Sequence, residues 1–200
     1  MTPTCSSKRL FKLALSGLLA LALASPALAQ QDSERKTKQT VAMSQAVFEK
    51  LQEIQEMVEA KDYAGGHAGI AELQKREKLS PYEKAQLHNL NGYTYYLEEN
   101  FPSAIRAYES VLREPELPEA LQQSTLKTLA QLHFTVEDYE KALDTVNRLI
   151  AVVEEPAADV YMLLGQAYFQ MAEYQEALGP IKTAIEMFTE LGRVPRENWL

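Results

Sequence analysis

Histidine and cysteine are the side chains of this 200-residue sequence that could carry metal or nucleophilic chemistry. The histidines His67, His88 and His133 lie far apart, and none is four residues from another. Cys5 is the only cysteine, so no spacing typical of a zinc site occurs. The motifs G-x-S-x-G, H-E-x-x-H and G-x-x-x-x-G-K-[ST] are also missing. We therefore expect structural histidines, no metal, no cofactor and no enzymatic activity.

Adjacent carboxylates could form an acid and base pair, as in Glu98 with Glu99 and Glu154 with Glu155. Both pairs fall at predicted helix ends or in connections, where neighbouring carboxylates are usually solvated. General acid and base catalysis needs one carboxyl whose pKa is tuned by burial or a neighbour. We therefore interpret both pairs as surface charge.

The stretch KDYAGGHAGIAEL (61–73) places three glycines and a histidine together. Glycine serves flexible loops, close ligand approach and helix defects alike. A phosphate-binding loop, a metal-binding turn and an irregular helix all fit the local sequence. The surrounding elements must decide between them.

The first 29 residues have the form of a cleaved signal peptide. Lys8, Arg9 and Lys12 precede the apolar run LALSGLLALALA (13–24), and ALA (27–29) is the small-x-small form that signal peptidase accepts. Cys5 lies before the apolar run, so we expect no lipid anchor. An uncleaved membrane anchor is the alternative, although the run is shorter than the roughly 20 residues that span a bilayer. Residues 30–40 read QQDSERKTKQT and are polar throughout, which predicts a flexible leader.

The charge of the sequence excludes two classes of partner. The formal net charge is −8, and removal of residues 1–29 takes away three positive charges and no acidic ones, which gives −11. Such a surface repels phosphate backbones and anionic lipids. We expect a protein or peptide partner, no nucleic acid and no stable membrane insertion after signal cleavage.

From Val41 onwards, the pattern is helical and repeats itself. Apolar residues recur at three- and four-residue steps, and no stretch alternates as a half-buried strand does. The segment 160–185 aligns with 125–150, and 87–112 carries the same order of small, aromatic and alanine positions. The matching sets are Gly92, Tyr95, Phe101, Ala104 and Tyr108; Ala130, His133, Tyr139, Ala142 and Val146; and Gly165, Tyr168, Tyr174, Ala177 and Ile181.

This order of residues resembles the tetratricopeptide repeat (TPR), a helix-turn-helix unit of about 34 residues. The resemblance implies an all-α fold, a right-handed superhelical solenoid of antiparallel helix pairs. We predict about four repeats, near 44–76, 81–116, 119–156 and 158–191, and the start of a fifth helix pair at 195–200, where Trp199 lies. The first repeat is the weakest match, because Ile54 stands where a small residue is expected. Because 195–200 begins a helix with no partner, we expect the sequence to be part of a longer protein.

The repeat register answers the question of the glycine-rich stretch. It places 61–73 in the second helix of the first repeat, with Gly66 at a small packing position. Gly65 and Gly69 are expected to face outward, so alanine at either position should raise the melting temperature. In the last repeat, Pro180 falls inside a helix, where a local bend is expected.

The resemblance also nominates a binding site, because the first helix of each TPR lines a concave groove. Tyr96, Phe134 and Phe169 are predicted to form an aromatic row there, beside amides that can hydrogen-bond a peptide backbone. The alternative is that these aromatic residues only stack within the repeats. The predicted groove residues are Asn89, Tyr93, Tyr96, Lys127, Gln131, Phe134, Met162, Gln166 and Phe169.

Several longer strings, such as LSPYEKAQLHNLNGYTYY and VEEPAADVYMLLGQAYFQ, are similar to those of exported TPR proteins found with TonB-type energy-transduction systems. That resemblance implies a periplasmic, non-catalytic scaffold that serves TonB-dependent transport. Two alternatives stay open: an adaptor in outer-membrane or peptidoglycan assembly, and the N-terminal TPR module of a longer enzyme. The exposed helix surface of a last, uncapped repeat also predicts self-association.

Overall fold

The computed structural model describes residues 43–76 and 78–192, and all regular structure in them is helical. The predicted signal peptide, most of the polar leader and the predicted helix start at 195–200 lie outside these residues. Within the described ranges, eight helices follow one another in four antiparallel pairs. We call the first helix of each pair the A helix and the second the B helix. The helices are α1 (Gln45–Glu59), α2 (Tyr63–Gln74), α3 (Pro81–Leu97), α4 (Phe101–Arg113), α5 (Glu119–Thr135), α6 (Tyr139–Val152), α7 (Ala158–Gln170) and α8 (Tyr174–Glu190).

Each B helix packs against its own A helix, and α2, α4 and α6 also pack against the A helix of the next pair, so the pairs stack in sequence. The small residues predicted for the close contacts are buried, with Ala104, Ala130 and Ala142 fully inaccessible to solvent. Four hydrophobic clusters follow one another along the stack, one for each pair. The predicted all-α TPR-like solenoid with four helix pairs is confirmed.

The four turns between A and B helices share one backbone conformation. Each contains a non-glycine residue in the left-handed region: Lys61, Glu99, Glu137 and Ala172, with φ between 57° and 64°. The next residue donates its N–H to a carbonyl of the A helix at 2.8–2.9 Å. In the first three turns that residue also caps the B helix with its side chain. The shared backbone conformation reverses the chain in the same way in all four pairs.

In the first pair, the small and large residues of the helix contact are exchanged. Ile54 on α1 is fully buried, and a Cβ atom at Gly69 on α2 would lie 2.7 Å from its Cγ1. The prediction that Gly69 faces outward is therefore wrong, because glycine makes room for the isoleucine. A Cβ at Gly65 would collide with the Asp62 carboxylate that caps α2, so alanine there is not expected to stabilise the helix.

A buried carboxylate joins the starts of α1 and α3. Glu83 is 5% exposed and accepts four hydrogen bonds, two on each oxygen. Ser44 donates from its N–H and Oγ to Oε1 at 2.9 and 2.7 Å, and Ser80 donates from the same two groups to Oε2 at 2.8 and 3.0 Å. Burial raises the pKa of Glu83, but these hydrogen bonds outweigh it and hold the pKa below its ordinary value. The charge of Glu83 therefore fixes the first A helix against the second.

In the last pair, α8 continues through Pro180 as one helix of 17 residues. The absence of a proline N–H removes one backbone hydrogen bond from the helix. The bend expected at this position stays a prediction.

Candidate partner-binding face

The A helices share one surface of the stack, because α1 contacts α3 and α5 contacts α7 directly. We call this surface the A-helix face. Side chains that recur at the same register position on each A helix are therefore brought into rows across the repeats. The predicted groove residues were chosen by that register, and all of them lie on α3, α5 or α7.

A cleft of about 260 Å³ opens on the A-helix face between α1 and α3. Its lining includes Asn89 and Tyr93, two of the predicted groove residues, and Tyr93 is 41% exposed. Leu51 and Gln55 of α1 line its other side, at positions 38 residues before Asn89 and Tyr93. The sequence prediction missed them because groove positions were not extended to the weak first repeat, although the same register identifies them.

Each A helix contributes a side-chain amide to this face. Gln55 donates its Nε2 to Glu59 Oε1 at 2.8 Å, so its own amide oxygen is left to accept. Within the part of the chain that the structure describes, Asn89, Gln131 and Gln166 make no side-chain hydrogen bond. Gln131 and Gln166 are exposed, and Asn89 is half-buried. Each free amide offers donors and an acceptor to a ligand.

Aromatic residues at one register position form a row on this face. Each one packs on the first residue of the B helix in the same pair. Tyr96 lies 6.1 Å from Phe101, Phe134 lies 6.1 Å from Tyr139, and Phe169 lies 5.4 Å from Tyr174, measured between ring centroids. The rings therefore lie where α3, α5 and α7 end and the turn to the B helix begins. Tyr96 and Phe169 remain 47% and 55% exposed, whereas Phe134 is half-buried. Stacking accounts for only part of each ring's surface, and the rest is accessible to a partner.

Two predicted groove residues have partners in the fold. Lys127, the only cation among them, forms an ion pair with Asp159 of the next A helix. This pair removes the one formal charge that the predicted groove contributed. Met162 is half-buried and packs against the cluster of Ala158, Ala184 and Phe188, so much of its surface is taken by the core.

Burial favours the neutral forms of Tyr108, His88 and His133. Burial raises the pKa of Tyr108 to about 12, and the charges of Tyr93 and Tyr96 act in the same direction. Burial also lowers the pKa of His88 and of His133. His133 fills the aromatic core position predicted for it and is 4% exposed, and its Nδ1 has no hydrogen-bond partner in the described structure. In their neutral forms, these three side chains add no charge to the A-helix face.

The described residues contain no group of three or more side chains that could hold a metal ion. None of the described helices is long and apolar enough to cross a membrane.

The fold and this face define a helical-repeat protein of the TPR type. The chain belongs to the family described as the RNPP family C-terminal domain, whose model matches residues 58–190. No curated protein sequence matches the chain.

Solved structures show the same fold at low sequence identity. The apo form of RapI superposes with a TM-score of 0.62 at 19% identity and covers 74% of this chain. The chain spans 58% of the RapI chain, so RapI is the longer protein. A MamA double mutant (RS-1) gives a TM-score of 0.59 at 16% identity, over 74% of this chain and 79% of that chain. MamA (41-end) from Desulfovibrio magneticus RS-1 gives 0.58 at 17% identity with the same coverage.

Proposed function

We propose that this protein is a non-catalytic interaction scaffold that binds an extended, uncharged segment of a partner protein along its A-helix face. The cleft between α1 and α3, with free amides beside exposed aromatic rings, is the observation that carries the proposal. An extended peptide has unpaired backbone N–H and C=O groups, which amide side chains can satisfy together. Apolar side chains of the segment would enter the cleft and lie against the rings.

The electrostatics of the face favour an uncharged segment. Lys127 and Asp159 neutralise each other, and the remaining predicted groove residues are amides, aromatic rings and a methionine. A charged side chain placed here would lose hydration without gaining an opposite charge. Affinity is therefore expected to change little with salt, since screening weakens only interactions between charges.

A binding measurement tests this proposal. Peptides selected from a displayed random library against the chain should be apolar and uncharged, and calorimetry should give similar affinities at low and high salt. Tyr93→Ala and Gln166→Ala should each weaken binding about fivefold to a hundredfold, the effect of losing one anchor or about 1–3 kcal/mol. Gln175→Ala, which removes an exposed amide from the B helix α8, should leave affinity unchanged. Equal losses in all three variants, or selection of acidic peptides, would refute the assignment.

The cellular setting is the second part of the proposal: the scaffold acts in the periplasm as an accessory of a TonB-dependent transport system. The signal-peptide form of residues 1–29 and the resemblance of the repeat strings support it. Crosslinking in intact cells should recover TonB-system components together with the protein. Recovery of outer-membrane or peptidoglycan assembly proteins instead would move the scaffold to that setting and leave the binding face intact.

A further inference from the structure

The boundary between the first and the second helix pair is polar, whereas the two later boundaries are apolar. Two register positions of the B helices, the fifth and the twelfth residue, show this difference. Ile105 of α4 packs in a cluster with Leu129 of α5. Ile150 of α6 packs in a cluster with Val160 of α7. These positions are aliphatic in α4 and α6 and polar in α2: Ile105 and Leu112, Leu143 and Ile150, and His67 and Gln74, respectively.

The A helices on the other side of these boundaries differ in the same way. Eight residues and one residue before the left-handed turn residue, the side chain is apolar in α5 and α7 and polar in α3. These residues are Leu129 and Val136, Leu164 and Met171, and Asn91 and Glu98, respectively. Both sides of the first boundary are therefore polar at positions where the later boundaries are apolar.

His67 makes the polar contacts across the first boundary. Its Nδ1 lies 3.1 Å from Asn91 Oδ1 and its Nε2 lies 2.8 Å from Glu98 Oε2. The imidazole ring also packs on Tyr95, with 4.4 Å between ring centroids. Polar contacts that water can replace stabilise an interface less than buried aliphatic side chains do. The apolar residues that α3 contributes to the hydrophobic cluster of the first pair are Leu87, Leu90 and Leu97.

The helix on the near side of this boundary is itself weak. Gly65, Gly66 and Gly69 lie within α2, and glycine inside a helix is less favourable than alanine. Among the described residues, the first pair also has one neighbouring pair, and a repeat in a stack is stabilised by the neighbours that it contacts. Few apolar contacts and a weak helix are the features of a segment that opens without global unfolding.

We propose that α1 and α2 separate together from α3 at this polar boundary and act as a lid on the cleft. We call α1 and α2 the lid pair. The cleft lies across the boundary, because Leu51 and Gln55 are on α1 and Asn89 and Tyr93 are on α3. Opening of the lid pair moves these two walls apart.

The proposed function gives the lid its role, and the inference rests on it. A partner segment that contacts both walls of the cleft binds the closed arrangement and shifts the equilibrium towards it. The hydrogen bonds from Ser44 to Glu83 hold the start of α1 against α3 when the lid pair is closed. The closed arrangement therefore predominates, and the open one is populated transiently.

Hydrogen exchange of the full chain, measured by NMR under native conditions, tests the opening without any ligand. Amides of α1 and α2 should exchange at a common rate, about tenfold or more faster than the slowest amides of α5 and α6, because opening exposes them without global unfolding. Exchange of all four helices through one global opening would overturn the proposal.

Two variants locate the opening at the polar boundary. His67→Leu combined with Asn91→Leu places there the residues that α6 and α5 carry, and it should slow the exchange of α1 and α2 about tenfold. His67→Ala removes both polar contacts and should accelerate that exchange. Asn147→Leu, at an exposed position of α6, is the matched control and should leave α1 and α2 unchanged. Unchanged exchange of α1 and α2 in both boundary variants would overturn the proposal.

A third measurement tests the link to binding. The peptide selected against the chain should slow the exchange of α1 and α2 amides at saturation, because it binds the closed lid pair. A peptide that binds and leaves this exchange unchanged would overturn the lid and leave the binding face intact. If no peptide binds, the binding face is refuted and the lid with it, whereas the exchange of the free chain still shows whether the pair opens.

Discussion

Glu83 links the first two repeats through hydrogen bonds to the starts of α1 and α3. A carboxylate that is nearly inaccessible to solvent is tolerated here because Ser44 and Ser80 satisfy both of its oxygens with hydrogen bonds. The cleft between α1 and α3 lies on the elements that this carboxylate joins. Its charge therefore contributes both to stability and to the shape of the candidate site.

Glu83→Gln should destabilise the fold by about 1–3 kcal/mol at neutral pH, because an amide N–H₂ would face serine donors that have lost their acceptor. Hydrogen bonding holds the folded-state pKa of Glu83 below the ordinary value that the carboxyl has in the unfolded chain. Its contribution is thus fully present above the unfolded-state pKa and is lost as pH falls through the folded pKa. Urea unfolding from neutral to acidic pH should show a smaller decrease in the free energy of unfolding for Glu83→Gln than for the unaltered chain.

Glu72→Gln, on an exposed part of α2, is the control and should change the free energy of unfolding by less than about 0.5 kcal/mol. An equal effect of both substitutions would contradict the role given to Glu83.

The contacts of individual side chains were the features least predictable from the sequence. The aromatic and alanine positions follow from register alone, but the partners of individual polar side chains do not. Nothing local predicts that Glu83 reaches Ser44, 39 residues earlier, or that Lys127 pairs with Asp159 across repeats. The Gly69 error has the same origin, because the large residue on α1 and the small one on α2 compensate only in three dimensions.

The A–B turn is the element that makes the repeats alike. Each turn places a non-glycine residue at positive φ, a conformation that costs an L-residue about 1–2 kcal/mol. The sequence gives no direct sign of this conformation, since lysine, glutamate and alanine occupy it instead of glycine. The helices on either side were predicted well, because their periodicity and the aromatic residue at the start of each B helix are strong signals.

Ala172→Gly should stabilise the protein by roughly 0.5–1 kcal/mol. Glycine adopts the left-handed region freely, which relieves the backbone at φ 61°, and part of the gain is offset by the greater entropy of the unfolded chain. Ala71→Gly makes the same chemical change at an exposed position inside α2 and should destabilise by about 1 kcal/mol. Urea denaturation with unchanged m-values measures both. The same sign for the two variants would show that the turn is not strained.

At the scale of the whole described stack, the four-pair architecture was predictable because a repeated pattern offers several independent observations of one motif. The positions on the A-helix face follow from the same register, and two of the predicted groove residues, Asn89 and Tyr93, line the cleft. The lack of net charge among the predicted groove residues was not predictable from the sequence, because it depends on an ion pair between neighbouring repeats. The predicted groove residues along the stack thus carry no net charge once Lys127 is paired with Asp159.

Site-specific photocrosslinking in intact cells tests most directly whether partners bind on the A-helix face. A photoreactive residue at Asn89, Gln131 or Gln166 probes that face, and the same residue at Arg148 or Gln175 probes exposed positions on B helices. We predict that the first three positions capture the same partner and that the B-helix positions do not. Capture from Arg148 and Gln175, with none from the A-helix positions, would contradict the proposed binding face.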